Sequence, residues 1–180
     1  MSEHHESLEE LRTKYPHLFR TPKIHGSVYI APGAQVLGDV EIGEESSIWC
    51  NAVVRADVNY VRIGKRTNIQ DLSLIHESYQ ASPTVVGDDV TVGHSVILHA
   101  CKVGNKCLIG MGSVILDDAE IGDLCLIGAG SLVTQGTKIP AGTKAWGRPA
   151  KVVGELTSKE IERLSWSALH YASLARAYML

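Results

Sequence analysis

The sequence lacks the features of membrane, secreted and nucleic-acid-binding proteins. It has no run of eighteen apolar residues and no hydrophobic segment near Met1, so neither a transmembrane helix nor a signal peptide is expected. Its 17 basic residues are balanced by 20 acidic ones and form no run beyond scattered pairs, which predicts no nucleic acid and no anionic membrane as partner. We expect the 180 residues to form one cytoplasmic domain.

The sequence instead carries an Ile, Val or Leu at nearly every sixth position, nineteen times in all. These residues are Ile24, Ile30, Val36, Ile42, Ile48, Val54, Ile63, Ile69, Ile75, Val86, Val92, Leu98, Val103, Ile109, Ile115, Ile121, Ile127, Val133 and Ile139. A period of six fits neither the 3.6-residue turn of a helix nor the period of two in a β-sandwich, and it is typical of hexapeptide β-helix repeats.

Three hexads would complete one coil of a triangular prism, so the repeat predicts an all-β fold of about six to seven coils. The spacing leaves handedness open, although parallel crossovers are normally right-handed. We expect an N-terminal arm over residues 1–20, the coil over 21–153 and a packed helix over 154–180. A capping box, Thr157 with Glu160, and apolar residues at helical spacing predict that helix.

The four cysteines, Cys50, Cys101, Cys107 and Cys125, show no CxxC spacing. Cys107 and Cys125 share the small inward position of adjacent coils, where we expect buried free thiols rather than a disulfide.

Three steps of the repeat depart from six residues. The steps from Val54 and from Ile75 are longer, and the step from Leu98 is shorter. If successive hexads are assigned to faces a, b and c, starting with Ile24 on face a, all three irregularities follow a strand on face c. The outward residues of face c then align as Leu37, Arg55, His76, His99, Leu116 and Thr134. Neighbours in such a column lie about 4.8 Å apart.

On face b the same procedure aligns Cys50, Asp71, His94 and Met111, with Gln70 just before Asp71. His94 therefore lies on a different face from His76 and His99, and a neighbouring subunit could supply it. Two imidazoles one coil apart can both bind a zinc ion at about 2.0–2.1 Å, and a third histidine plus water would complete a catalytic site. Asp57, Asp71 and Gln70 are candidates to orient the imidazoles.

Three motifs resemble the γ-class carbonic anhydrase family of hexapeptide-repeat proteins. They are Val54-Arg55-Ala56-Asp57, then Asn68-Ile69-Gln70-Asp71 leading to His76, and Gly93-His94 leading to His99. The resemblance covers about residues 20–180 and implies a left-handed parallel β-helix with a C-terminal α-helix, assembled as a homotrimer. The metal, Zn²⁺ or alternatively Fe²⁺ or Co²⁺, would lie between subunits.

The resemblance also implies roles for individual residues. His76 and His99 would bind the metal from one chain and His94 from the next. Arg55 and Asp71 resemble an intersubunit salt bridge, and Gln70 resembles a residue that positions the metal-bound water. The implied reaction is hydration of CO2 to bicarbonate by hydroxide formed from a water whose pKa the metal lowers to about 7.

The sequence departs from the family pattern in its proton-transfer residues. Val58 occupies the position of an expected glutamate, and the segment from His76 to His94 is too short for the family's long acidic loop. Glu77 is the nearest carboxylate, and Tyr171 aligns with a tyrosine found beside the metal in short-loop relatives. Tyr171 can equally be a helix packing residue. Three alternatives therefore stay open: a hexapeptide acyl-CoA transferase with one histidine as base, a metal-dependent thioesterase, and a non-catalytic trimeric scaffold.

Overall fold

The computed structural model describes residues 6–79 and 82–180. An arm containing helix α1 and a 3₁₀ helix precedes a left-handed parallel β-helix of about seven turns, and helix α2 follows it. The bounds are α1 (Leu8–Lys14), the 3₁₀ helix (Pro16–Phe19), β1 (Lys23–Ile24), β2 (Tyr29–Ile30), β3 (Gln35–Ile42), β4 (Ser47–Ile48), β5 (Val53–Ile63), β6 (Asn68–Ile69), β7 (Leu74–His76), β8 (Thr84–Val86), β9 (Thr91–Val92), β10 (Ile97–His99), β11 (Lys102–Val103), β12 (Leu108–Ile109), β13 (Val114–Ile115), β14 (Glu120–Ile121), β15 (Leu126–Ile127), β16 (Leu132–Val133), β17 (Lys138–Ile139), β18 (Thr143–Gly147), β19 (Ala150–Glu155) and α2 (Ser158–Tyr178).

The strands stack in parallel on three faces, as the six-residue period predicts. Face b is the sheet β2-β4-β6-β9-β12-β15-β18, which the antiparallel strand β19 extends at one edge. The first halves of β3 and β5 stack with β7, β10, β13 and β16 on face c, and their second halves stack with β1, β8, β11, β14 and β17 on face a. The long strands β3 and β5 therefore turn the corner between faces c and a without a break.

The repeating aliphatic residues form the core of the prism. From Ile42 to Ile139 every one of them is at most 4% exposed, because each is covered by coils on both sides or by the chain closure. Ile24 and Ile30 are 40% and 37% exposed, since the first coil has no coil above it. Cys107 and Cys125 are buried in adjacent coils, as predicted, and the Cys125 N–H donates to Cys107 Sγ at 3.4 Å. All four cysteines are free thiols.

Two of the three irregularities add backbone at the corner where face c ends. Opposite the single residue Asp39, between Gly38 and Val40 of β3, strand β5 carries the four-residue segment 57–60, which makes it three residues longer there, and the pairing resumes at Val61. The second irregularity is the connection between β7 and β8. The third shortens the connection from β10 to β11, where Ala100 adopts a left-handed conformation with φ of 47°. All three therefore alter the same corner of the prism, at the end of the histidine-bearing strands.

Helix α2 packs on face b and begins at the predicted capping box. The Glu160 N–H donates to Thr157 Oγ1 at 3.3 Å, and the Thr157 N–H donates to the Glu160 carboxylate at 2.8 Å. Leu164 and Ala168 are buried on the side that faces the coil. Neither helix of the described residues has the length and apolarity needed to span a membrane.

The N-terminal arm is attached to the coil through Asp39. This buried carboxylate contacts His17 Nδ1 at 2.8 Å and Arg62 Nη2 at 2.9 Å, and Arg20 Nε lies 3.4 Å away. Burial raises the pKa of Asp39, but the hydrogen bonds from His17 and Arg62 and the nearby positive charges outweigh it and hold this pKa below its ordinary value.

Asp39→Asn is expected to lower the free energy of unfolding by about 1–3 kcal/mol at neutral pH, because hydrogen bonds to a charged group are lost. A carboxyl whose pKa is depressed in the folded state stabilises the protein above its unfolded pKa, and this contribution disappears as the pH falls through the folded pKa. Denaturation at fixed protein concentration should therefore show the difference between wild type and variant shrinking below about pH 4. A difference that stays constant down to pH 3 would contradict this assignment.

Candidate metal centre

His76 and His99 lie side by side on face c, as the predicted column requires. The register pairs His76 of β7 with His99 of β10, and His76 Nδ1 lies 3.4 Å from His99 Nε2. Two nitrogens bound to one tetrahedral zinc at about 2.0–2.1 Å are separated by about 3.3–3.4 Å. The two imidazoles are therefore spaced to share one metal ion.

Carboxylates surround His76. Asp57 Oδ1 lies 3.2 Å from His76 Nε2, and Glu77 Oε2 lies 3.8 Å from the same nitrogen. Among the described residues, these three form the one group of at least three histidine, cysteine or acidic side chains whose potential ligand atoms fall within 4.8 Å of one another. Partial burial raises the pKa of Asp57, but the hydrogen bonds and positive charges of Arg55 and His76 together lower it by more. The pKa of Asp57 is therefore below its ordinary value.

Glu77 is completely buried beneath this group. Its Oε1 accepts the Val58 N–H at 3.0 Å, whereas its Oε2 has no hydrogen-bond partner among the described residues. A buried polar atom without a partner costs about 1–3 kcal/mol, so such an atom beside an imidazole is typical of a functional site. The backbone of Val58 therefore positions a carboxylate, although the side chain at that position is not the glutamate that the family pattern leads one to expect.

His99 has a carboxylate partner that the sequence analysis missed. Asp117 Oδ1 lies 2.5 Å from His99 Nδ1. Asp117 occupies the second position after Ile115, the same place in the hexad that Asp71 and His94 occupy on face b. Extending the face c alignment by one residue would have identified it.

A second group of predicted residues lies on face b. His94 Nδ1 is 2.8 Å from Asp71 Oδ2, and the Ser95 N–H donates to the Asp71 carbonyl at 2.9 Å, which confirms the predicted alignment. A histidine whose Nδ1 is held in this way presents Nε2 to a metal. Buried Gln70 donates from Nε2 to Asn68 Oδ1 at 3.0 Å, so its amide is fixed beside Asp71.

Tyr171 of helix α2 borders the same group. Its ring packs edge-on against Trp49 with centroids 5.5 Å apart, and burial together with the charge of Asp71 raises its pKa. Tyr29, Trp49, Tyr171 and Tyr178 line a cavity of about 480 Å³ that opens beside Asp71. Tyr171 is therefore both a packing residue and a wall of this cavity.

Within one chain the predicted residues fall into two half-sites. Half-site c contains Arg55, Asp57, His76, Glu77, His99 and Asp117, and half-site b contains Gln70, Asp71, His94 and Tyr171. Arg55 pairs with Asp57 at 2.5 Å and Asp71 with His94, so the salt bridge between Arg55 and Asp71 of another subunit stays a prediction.

Comparisons with known proteins agree with the hexapeptide repeat and with the resemblance to γ-class carbonic anhydrases. The family model described as bacterial transferase hexapeptide (six repeats) matches residues 21–56, 83–116 and 100–135. A carbonic anhydrase of Geobacillus kaustophilus is 51% identical over 164 residues, which cover 91% of this chain and 90% of the relative.

Two further similarities differ in the activity they name. Gamma carbonic anhydrase 1, a mitochondrial protein of Arabidopsis thaliana, is 43% identical over 178 residues, which span 96% of this chain but 65% of that longer relative. A Bacillus cereus protein provisionally described as an acetyltransferase has an X-ray structure that superposes with a TM-score of 0.87 at 51% identity, covering 89% of this chain and 92% of the other.

Proposed function

Because the chain belongs to the γ-class carbonic anhydrase-like family of hexapeptide-repeat proteins, we propose that it is a homotrimeric metalloenzyme that hydrates CO2 to bicarbonate. The observation that carries the proposal is the separation of three carboxylate-held imidazoles into two half-sites. His76 and His99 have the spacing of two metal ligands on face c, and His94 presents the third imidazole from face b.

A closed ring of three chains makes this arrangement complete. A heterologous contact that joins half-site c of one chain to half-site b of the next repeats three times and yields three equivalent sites. Each site would hold a divalent metal through three neutral imidazoles, a ligand set suited to Zn²⁺ and also open to Fe²⁺ or Co²⁺. Arg55 would then contact Asp71 of the adjoining chain, next to His94.

The residues around the imidazoles supply the remaining functions. When bound, the metal makes hydroxide available near neutral pH for attack on CO2. Gln70, whose Nε2 donates to Asn68, has its amide oxygen left to accept a hydrogen bond from the attacking water and so orient it. Glu77 is placed beside His76 to accept the released proton, and Tyr171 forms the pocket wall as a neutral phenol.

The Bacillus cereus structure is provisionally described as an acetyltransferase, which would make acyl transfer the alternative activity. Acyl transfer needs a single histidine as base, so it does not account for three imidazoles that each lie beside a carboxylate. The cavity of about 480 Å³ favours a different second candidate, metal-dependent hydrolysis of a thioester, because it is far larger than the three-atom CO2 needs. Assays with CO2 and with acyl-CoA thioesters on the metal-loaded protein separate these activities.

A cytoplasmic location is part of the proposal. Its support is the set of four free thiols, including the adjacent Cys107 and Cys125, which is the state expected in a reducing compartment.

A mixed-trimer experiment tests whether the metal site lies between chains. His94→Ala and His99→Ala chains carrying different affinity tags are coexpressed, and trimers containing both are isolated by two successive affinity steps. Each homotrimer is expected to bind little metal. In any mixed ring, one interface joins intact His76 and His99 to intact His94, so about one metal per mixed trimer is expected.

The matched control is a trimer of two differently tagged His94→Ala chains, which should stay without metal after the same purification. Mixed trimers that also stay without metal, measured by inductively coupled plasma mass spectrometry, would show that the three histidines do not combine across an interface.

A further inference from the structure

His99 is held between two groups on face c. Its Nε2 faces His76 Nδ1 at 3.4 Å, and its Nδ1 faces Asp117 Oδ1 at 2.5 Å. The His99 and Asp117 side chains are 34% and 28% exposed, so the contact is partly shielded from water. A charge-assisted hydrogen bond in that setting fixes both the rotation of the ring and the nitrogen that carries the proton.

The contact completes a pattern shared by all three candidate ligands. Asp57 lies 3.2 Å from His76 and Asp71 lies 2.8 Å from His94, each on a ring nitrogen. We infer that Asp117 is the positioning residue of His99, which keeps the proton on Nδ1 and directs Nε2 toward the metal. This inference rests on the proposed metal site and adds the carboxylate partner of His99.

The Asp117 side chain is not needed to build its own turn. The backbone carbonyl of Asp117, rather than its carboxylate, accepts the Gly136 N–H at 2.9 Å and links this turn to the next coil. The neighbouring Asp118 has a different partner, since its Oδ1 accepts the Ser82 hydroxyl at 2.5 Å. Two adjacent aspartates therefore serve two separate contacts, and Asp118 provides a matched control.

The test is the affinity of the metal-free trimer for Zn²⁺, measured by competition with a chromophoric chelator. Asp117→Ala is expected to weaken Zn²⁺ binding by about 10–100-fold, the usual effect of losing the partner of a ligating histidine. Asp117→Asn should weaken it less, because the amide oxygen still accepts the Nδ1 proton without the negative charge. Asp118→Asn should leave the affinity unchanged, and asparagine tolerates the positive φ of 59° at that position.

A second measurement distinguishes positioning from a general structural role. In ¹⁵N-edited spectra of the metal-free trimer, the His99 ring should carry its proton on Nδ1 in the wild type and shift toward Nε2 in Asp117→Ala. If Asp117→Ala fails to form trimers, Asp117→Asn carries the test, with weaker Zn²⁺ binding at unchanged trimer mass as the supporting result.

The failures of the two proposals are distinct. A wild-type trimer that does not bind Zn²⁺ would overturn the proposed metal site itself. A wild-type trimer that binds Zn²⁺, together with Asp117 variants that match Asp118→Asn, would overturn the positioning role alone.

Discussion

His94→Ala is expected to empty the metal sites of the trimer while leaving the coil folded. The free energy of Zn²⁺ binding to four-ligand sites in small peptides is about 10–16 kcal/mol. Divided among four ligands, this means that loss of one ligand weakens binding on the order of 100-fold or more. The His94 side chain is 46% exposed on a turn and lies outside the aliphatic core, so its removal leaves no cavity there. CO2 hydration should fall in proportion to the metal content.

The measurements are metal content per chain, circular dichroism and trimer mass. His25→Ala is the matched control, because His25 is an exposed histidine on the first coil whose Nδ1 contacts Ser27 at 2.8 Å and which belongs to neither half-site. His25→Ala should keep wild-type metal content. If His94→Ala retained the full complement of metal after dialysis against a chelator, the third ligand would have to be another residue.

The fold could be predicted from the sequence because one period determines it. A six-residue repeat of aliphatic side chains leaves few alternatives once each residue must be buried, and the register of β7 with β10 follows from counting hexads through the insertion after His76. The N-terminal arm could not be docked in this way. Its attachment depends on Asp39 meeting His17 and Arg62, which are contacts outside the repeat.

The same distinction separates the predictable and unpredictable parts of the site. The hexad alignment predicted the positions of His76 and His99 on face c and of His94 on face b, because each histidine occupies a regular position of its hexad. The burial of Glu77 depends instead on two irregular segments that meet, since its Oε1 binds the backbone of Val58 within the extra segment of β5. The hexad count positions neither segment, so the sequence identified Glu77 only as the nearest carboxylate.

Gly38→Ala is expected to be strongly destabilising, because the first irregularity of the repeat requires glycine there. Gly38 has a φ of 78°, and an added Cβ would meet the backbone oxygen of Ala56 at 2.0 Å. The left-handed conformation costs a side-chain-bearing residue about 1–2 kcal/mol. Overpacking against backbone atoms, which cannot rotate away, adds about 1–3 kcal/mol. We therefore expect the free energy of unfolding to fall by about 2–5 kcal/mol, measured by denaturant titration at fixed protein concentration.

Gly26→Ala is the matched control, because a Cβ at Gly26 has no atom within 4 Å and its φ is not in the left-handed region. That variant should be neutral or more stable by about 0.4–1 kcal/mol, as the unfolded chain loses freedom. The segment that Gly38 accommodates begins with Asp57, which contacts His76, so Gly38→Ala should also weaken metal binding in the fraction that folds. Equal stability of the two variants would mean that β3 and β5 can separate at this corner without cost, and the corner would then not be a fixed support for the metal ligands.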